Sequence, residues 1–244
     1  MSFSLNADHY EIFLNIATET GWPSARKPQR WARHIGATDE HSNSISANNV
    51  DRIYLKDLCA DASISSEACF LAIMAWGGMK TDHGAIAWAL RDKWLPLVDT
   101  LRTGNLSRSE SYAKFHEFRT ANPRCGFGPA YYTKLIFFCS PSHDGYIMDQ
   151  WTARSINLIM PNGGRPMVDL NAVRNKGQIS YYVSDRNGPD VFERFCQAVE
   201  FLAAQSELAA TNPEEVEMRM FAFGGQGRKP PAKWRQYVIS QPQP

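Results

Sequence analysis

Residues 123–154 read PRCGFGPAYYTKLIFFCSPSHDGYIMDQWTAR, and the fold turns on how this stretch is taken. Gly126, Phe127 and Gly128 precede Pro129; an amphipathic run follows, then a polar break, then a lone acid, Asp149, ahead of Gln150 and Trp151. Glycine in a tight turn and proline in a first helical turn are what a helix, a short turn and a second helix call for. The stretch therefore predicts a helix–hairpin–helix over about residues 109–139, with SRSESYAKFHEFRTAN as its first helix. Glycines let a backbone come within hydrogen-bond distance of a phosphate. The second helix adds free N–H groups and a positive dipole end. Phe127 is expected to tuck inward and hold the two helices. The plainer alternative is an ordinary αα-turn.

Outward from this stretch, helical periodicity dominates. DHYEIFLNIATETG puts Tyr10, Phe13, Leu14 and Ala17 on one face, with Gly21 just beyond its end. SSEACFLAIMAW is an apolar helix opened by a serine cap, with Glu67 in its first turn, and it stops at Gly77 and Gly78. HGAIAWALRDKWLPLVDTLR resumes the helical pattern, with Pro96 as a kink or boundary. DVFERFCQAVEFLAAQ carries Phe192, Phe195, Cys196, Val199, Leu202 and Ala203 on one stripe. TNPEEVEMRMF starts with Asn212 as cap, Pro213 in the first turn and Glu215 three residues after the cap. VDRIYLKDLCADAS fits a short helix or a strand; ATDEHSNSISANN and PNGGRPMVDL read as loops; ISYYVSD alternates as a short strand. The sum is a mostly α fold of two helical lobes, with approximate boundaries 1–104 and 105–244.

Composition narrows the function. At 244 residues, with 43% hydrophobic and 12% aromatic residues, the chain has ample material for a packed core. Twenty-six basic against 25 acidic residues leave no global field, so a nucleic-acid partner must be met by local patches. Two basic-aromatic segments, ARKPQRWARH and GRKPPAKWR, supply such charge; in the second, Arg228, Lys229, Lys233, Trp234 and Arg235 either grip DNA or form a solvated tail. Five scattered cysteines without a Cys-x-x-Cys pair suit a reduced interior, and no apolar run approaches the roughly 20 residues of a membrane span. MSFSLNADHY lacks the basic and apolar regions of a secretory signal, so a cytoplasmic location is expected. His9, His41 and His116 have no metal-ligand spacing, and no Ser-His-Asp or Walker pattern occurs.

By itself, an acid before QWTARSINLI is a helix N-cap. Its position 21 residues after Gly128, across one helix and one loop, is more telling. Here the sequence resembles the helix–hairpin–helix (HhH-GPD) DNA glycosylase superfamily, nearest its 8-oxoguanine glycosylase branch and that branch's bacterial relatives. The specific match spans about residues 105–160 and extends more weakly from Ser65.

The resemblance implies two helical lobes with duplex DNA across the cleft between them, acting as a monomer without metal or organic cofactor. It assigns Gly126 and Gly128, with Phe127 between them, to the phosphate-binding hairpin, and Asp149 to the catalytic carboxylate; Arg124, beside the hairpin, adds a charge suited to a phosphate. The break AWGGMKTDHG falls where family members carry the loop that enters the duplex. Met79 is then a candidate wedge, and Lys80 and His83 are candidate backbone contacts. Trp76, Gly77, Ala130, Gln150 and Trp151 are candidate base-pocket residues.

Three departures qualify the match. Bifunctional members carry a nucleophilic lysine two residues after the second hairpin glycine, where this chain has Ala130; Lys134 lies one turn on, either reaching the pocket or snorkelling to the surface. Arg124-Cys125 replaces the usual proline before the hairpin. The four-cysteine iron–sulfur loop of the endonuclease III and adenine glycosylase branches is absent. The expected activity is hydrolytic removal of a flipped-out modified base. The base is a bulky one, such as the glucosylated hydroxymethylcytosine of phage DNA met by antiphage relatives, or else 8-oxoguanine. The alternatives are a bifunctional lyase using Lys134, or a non-catalytic DNA-binding hairpin in which Asp149 is only a cap.

Overall fold

The computed structural model describes residues 3–18, 20, 26–161, 163–175, 178–208, 211–223 and 231–242. Among them it is mostly α, with thirteen α-helices and a single two-stranded sheet. The chain divides into two compact units: a central one, Trp22–Gly145, and a terminal one that joins Met1–Gly21 to Tyr146–Pro244. The boundaries expected from linear order, near residue 104, are therefore corrected. The reason lies at the N-terminus. Helix α1 (Ala7–Ile16) packs on α10 (Gln150–Ile159) and α13 (Lys233–Ser240). The Asn6 amide donates to the Ile159 carbonyl at 2.8 Å, and Phe13 meets Trp234 edge-on with ring centroids 5.0 Å apart.

The central unit runs α2 (Pro28–His34), α3 (Asp39–Asn43), α4 (Arg52–Ala60), α5 (Ser66–Trp76), α6 (Thr81–Ala89), α7 (Arg91–Arg102), α8 (Arg108–Ala121) and α9 (Pro129–Cys139). Ser65 caps α5, accepting from the Ala68 amide at 3.3 Å; every residue of α5 except Glu67 is buried, so it forms the unit's axis. The stretch left open between helix and strand is α4, capped by Asp51. Part of the expected polar loop 37–49 forms α3. Pro96 does not end a helix: the break falls at Leu90, and Pro96 is accommodated inside α7. All five cysteines are buried free thiols, with the Cys59 and Cys139 sulfurs 3.8 Å apart.

In the terminal unit, α11 (Pro189–Ala203) buries the whole stripe named from the sequence. Asn212 caps α12 (Pro213–Phe221), accepting from the Glu215 amide at 2.8 Å. The strand expected at ISYYVSD is β2 (Gln178–Val183), and its antiparallel partner β1 (Leu170–Asn175) occupies residues that extend from an expected loop. The basic-aromatic tail is corrected most. Arg228 and Lys229 lie outside the described residues, as does Gly21, but α13 is structural. Trp234 is fully buried and its indole N–H donates to Ser155 Oγ at 2.9 Å; Arg235 is only 4% exposed. Neither side chain is available to grip DNA; Lys233 is exposed. No described helix is long and apolar enough to cross a membrane.

Candidate active site

The hairpin forms as expected in the central unit. A capping box starts α8: Ser107 Oγ accepts from the Glu110 amide, and Glu110 accepts from the Ser107 amide at 2.8 Å. Residues 122–128 make the turn, and Pro129 opens α9. Phe127 is fully buried, stacked on Trp94 (5.4 Å, 24°) and edge-on to Phe115 (5.7 Å), so it pins the turn to the core.

The two glycines serve different ends. Gly126 has φ +70°, and a Cβ there would lie 2.5 Å from the His83 carbonyl oxygen. Gly128 is extended, φ −106° and ψ −178°, as the N-cap of α9 with no side-chain cap bond. Arg124 is exposed and, with Leu90, Asn122, Pro123 and Cys125, lines a hollow of about 340 Å³ on the turn.

The loop after α5 departs from expectation. Met79 is fully buried, so it presents no apolar tip to a base stack; its carbonyl accepts from the Trp31 indole N–H at 2.9 Å and from Arg26. The exposed residues of the loop are Lys80, Thr81 and Asp82. His83 is half-buried, its ring edge-on to Tyr131. Trp76 is also a core residue, edge-on to Phe138 at 5.1 Å with the Arg52 guanidinium over its ring, and as folded it offers no surface to a base.

Gly77 is covered by Lys134. A Cβ on Gly77 would meet the lysine's Cδ at 2.7 Å and Cε at 2.8 Å. Lys134 is 3% exposed, and its Nζ folds back one turn to donate to the Ala130 carbonyl at 2.6 Å. It is not a surface lysine. Its amine is returned to the level of the half-buried Ala130, the position at which the resembling bifunctional enzymes carry theirs.

In the terminal unit, Asp149 caps α10 and is buried at 8% exposure. Its Oδ1 accepts from the backbone N–H groups of Trp151 (2.7 Å) and Thr152 (3.2 Å), and its own amide donates to Thr152 Oγ1 at 2.9 Å. Oδ2 accepts no hydrogen bond from the described residues. Gln150 and Trp151 are half-buried beside it.

Two buried arginines frame Trp151. Arg235 lies over its ring at 4.3 Å and Arg154 at 5.1 Å; Arg235 also donates to the Phe221 carbonyl at 2.6 Å, and Arg154 to the Val238 carbonyl at 2.9 Å. Burial pushes the Arg235 guanidinium down to about 10, while the negative charge of Asp149 acts to raise it and Arg154 to lower it further. Arg235 thus lies within the electrostatic reach of Asp149, a neighbour that sequence reasoning missed. The Asp149-x-x-Thr152 spacing was a readable sign of the capping box, and Arg154 follows in the same helix; nothing in the linear order joins Arg235 to it. Among the described residues, no group of three or more His, Cys, Asp or Glu side chains could hold a metal ion.

Comparison with protein families gives first the class: this chain is a DNA glycosylase in the general sense. The family is the one described as "Putative 8-oxoguanine DNA glycosylase OGG-like protein"; its model matches residues 18–221, and the chain belongs to it. The matched span contains both the hairpin and Asp149 and ends at Phe221, before α13. No curated protein and no solved structure matches the chain.

Proposed function

We propose that the protein hydrolyses the N-glycosidic bond of a modified nucleotide drawn out of duplex DNA, with Asp149 as the catalytic carboxylate. Extrusion is required because the scissile bond is inaccessible within the stack. The observation that carries the reading is the Asp149 carboxylate itself: two amides at a helix N-terminus fix Oδ1, and Oδ2 is left without a hydrogen bond from the described residues. Amide donors and the dipole end stabilise negative charge at that place. As the base departs, positive charge develops on the sugar; a fixed carboxylate stabilises it and orients the water that adds to C1′. The hairpin amides hold a backbone phosphate while this happens. An intracellular setting on the nucleoid and a monomeric state belong to the same reading.

The oxidised purine is the base this reading favours. Family membership supports it. A bulky base would need room left by small residues such as those of AWGGM, yet the space at Gly77 is taken by the Lys134 stem and Met79 and Trp76 are core residues. Mass spectrometry of bases released from oxidised DNA and from glucosylated phage DNA tests it. Release of 8-oxoguanine is expected; release of the glucosylated cytosine alone would reverse the assignment.

A second reading is favoured by one observation, the buried Lys134 amine folded back to Ala130. In it that amine attacks C1′, displaces the base and forms a Schiff base that leads to strand cleavage. Ala130 at the usual lysine position favours the hydrolytic route.

A further inference from the structure

The first basic-aromatic segment belongs to neither the hairpin nor the catalytic residue. In the central unit, a cleft of about 480 Å³ opens between α2 and the start of α6, floored by Trp31 and lined by Arg26, Lys27, Arg30, His34, Asn49 and Thr81. Among the described residues no carboxylate lines it. Lys27, Arg30 and His34 follow i, i+3, i+7 spacing, so they share one face of α2, and all three are exposed. Lys27 and Arg30 make no ion pair among the described residues, whereas Arg33, off that face, pairs with Asp39 at 3.5 Å.

The cleft is built, not an accident of long side chains. A Cβ on Gly84 would lie 2.6 Å from the Trp31 ring and 2.9 Å from Ile35, so a glycine in α6 lets α2 dock closely. Arg26 and Trp31 both donate to the Met79 carbonyl, which ties the α2 end of the cleft to the loop entering α6.

The cleft also adjoins the hairpin. Thr81 lines the cleft, and His83, two residues on, is the residue whose backbone abuts Gly126. Tyr131, in the first turn of α9, meets the Lys80 backbone and lies within the field of Arg26. The first turn of α6 thus borders the basic cleft at Thr81 and the hairpin glycine at His83. The opposing charge is Asp82, which is engaged with the His83 amide at the start of the same helix.

We propose that this cleft is a phosphodiester-binding groove that extends the hairpin's phosphate site, so that one DNA strand is held at both. The ligand class is the polyanionic backbone of duplex DNA, read without regard to sequence; the proposal rests on the reading of the hairpin as a DNA contact. Cations that meet phosphates release counterions, each contact adding roughly 0.9 to the salt dependence of binding.

The test is the affinity of the full chain for an unmodified 25-base-pair duplex, measured by fluorescence anisotropy across a salt series. Lys27→Gln/Arg30→Gln removes two exposed charges of the cleft, and Arg33→Gln removes one outside it. The double variant is expected to bind about tenfold more weakly at low salt, with the slope of log affinity against log salt reduced by about one to two units. Arg33→Gln should keep the wild-type slope. A double variant whose slope equals that of Arg33→Gln overturns the proposal, and so does a wild-type protein that does not bind the duplex. Base release is assayed separately: a wild type that binds with the full slope but frees no base refutes the catalytic reading and leaves the groove standing.

Discussion

Gly126 rests against His83 so closely that a Cβ on the glycine would stand 2.5 Å from the histidine's carbonyl oxygen. The hairpin turn is therefore seated on the first turn of α6, and Gly126 is a packing glycine as much as a phosphate-facing one. Its left-handed φ of +70° adds the strain any L side chain meets there.

The two hairpin glycines should accordingly separate. Gly126→Val combines a strained backbone, about 1–2 kcal/mol, with overpacking of about 1–3 kcal/mol. Its melting temperature is expected to fall by on the order of 10 °C. Gly128→Val has no such strain, because φ −106° and ψ −178° suit any residue. It should stay folded and lose duplex affinity, since its side chain pushes the backbone away from the phosphate. Thermal melts and anisotropy on both variants check this, and unchanged affinity in folded Gly128→Val removes the hairpin from DNA binding.

Asp149→Asn keeps a side-chain oxygen for the Trp151 and Thr152 amides but loses the charge facing the sugar. Base release in single-turnover assays is expected to drop about 10²- to 10³-fold, with melting temperature and duplex affinity near wild type. Asp149→Ala loses the cap as well, at about 1 kcal/mol. A fully active Asp149→Asn protein would reduce this residue to a cap.

Lys134 and Gly77 act as a pair. Under the hydrolytic mechanism, the wild type leaves an intact abasic strand and borohydride traps no protein–DNA adduct. Lys134→Ala then slows base release without abolishing it. If an adduct does form, Lys134→Ala must eliminate it, and Gly77→Ala must weaken it by displacing the lysine stem that a Cβ meets at 2.7 Å. Such an adduct would establish the Schiff-base route.

Trp234 belongs to the core of the terminal unit. Trp234→Ala removes a fully buried ring packed on Phe13 and the indole donor to Ser155 Oγ, whose own hydroxyl still donates to the Met220 carbonyl. The expected cost is about 3–5 kcal/mol, read as a large fall in melting temperature. The salt slope of DNA binding in the folded fraction should not change. A stable variant with a reduced slope would return the tail to the DNA surface.

What the sequence by itself determined is local. Caps at Ser65, Asp149 and Asn212, the Pro129 helix start, the α11 stripe and the inward Phe127 follow from rules that act within a turn or two of chain, and the structure has each of them. Hairpin and carboxylate were legible for the same reason: both are helix N-termini. Tertiary structure alone decided which residues those termini keep company with. Met79 ends a helix in a glycine turn, as an exposed wedge would, yet Trp31 and Arg26 draw its loop inward and bury it. Arg235 looks like a solvated tail cation, yet stacking on Trp151 and Phe221 offsets the cost of its burial and sets it near an acid 86 residues earlier in the chain. Lys134 reads equally as surface or site, and the missing side chain of Gly77, distant in sequence, creates the space that buries it. Periodicity reports which face of an element is apolar. It carries no information about which distant element covers that face, and here the covering elements set the surroundings of the candidate site.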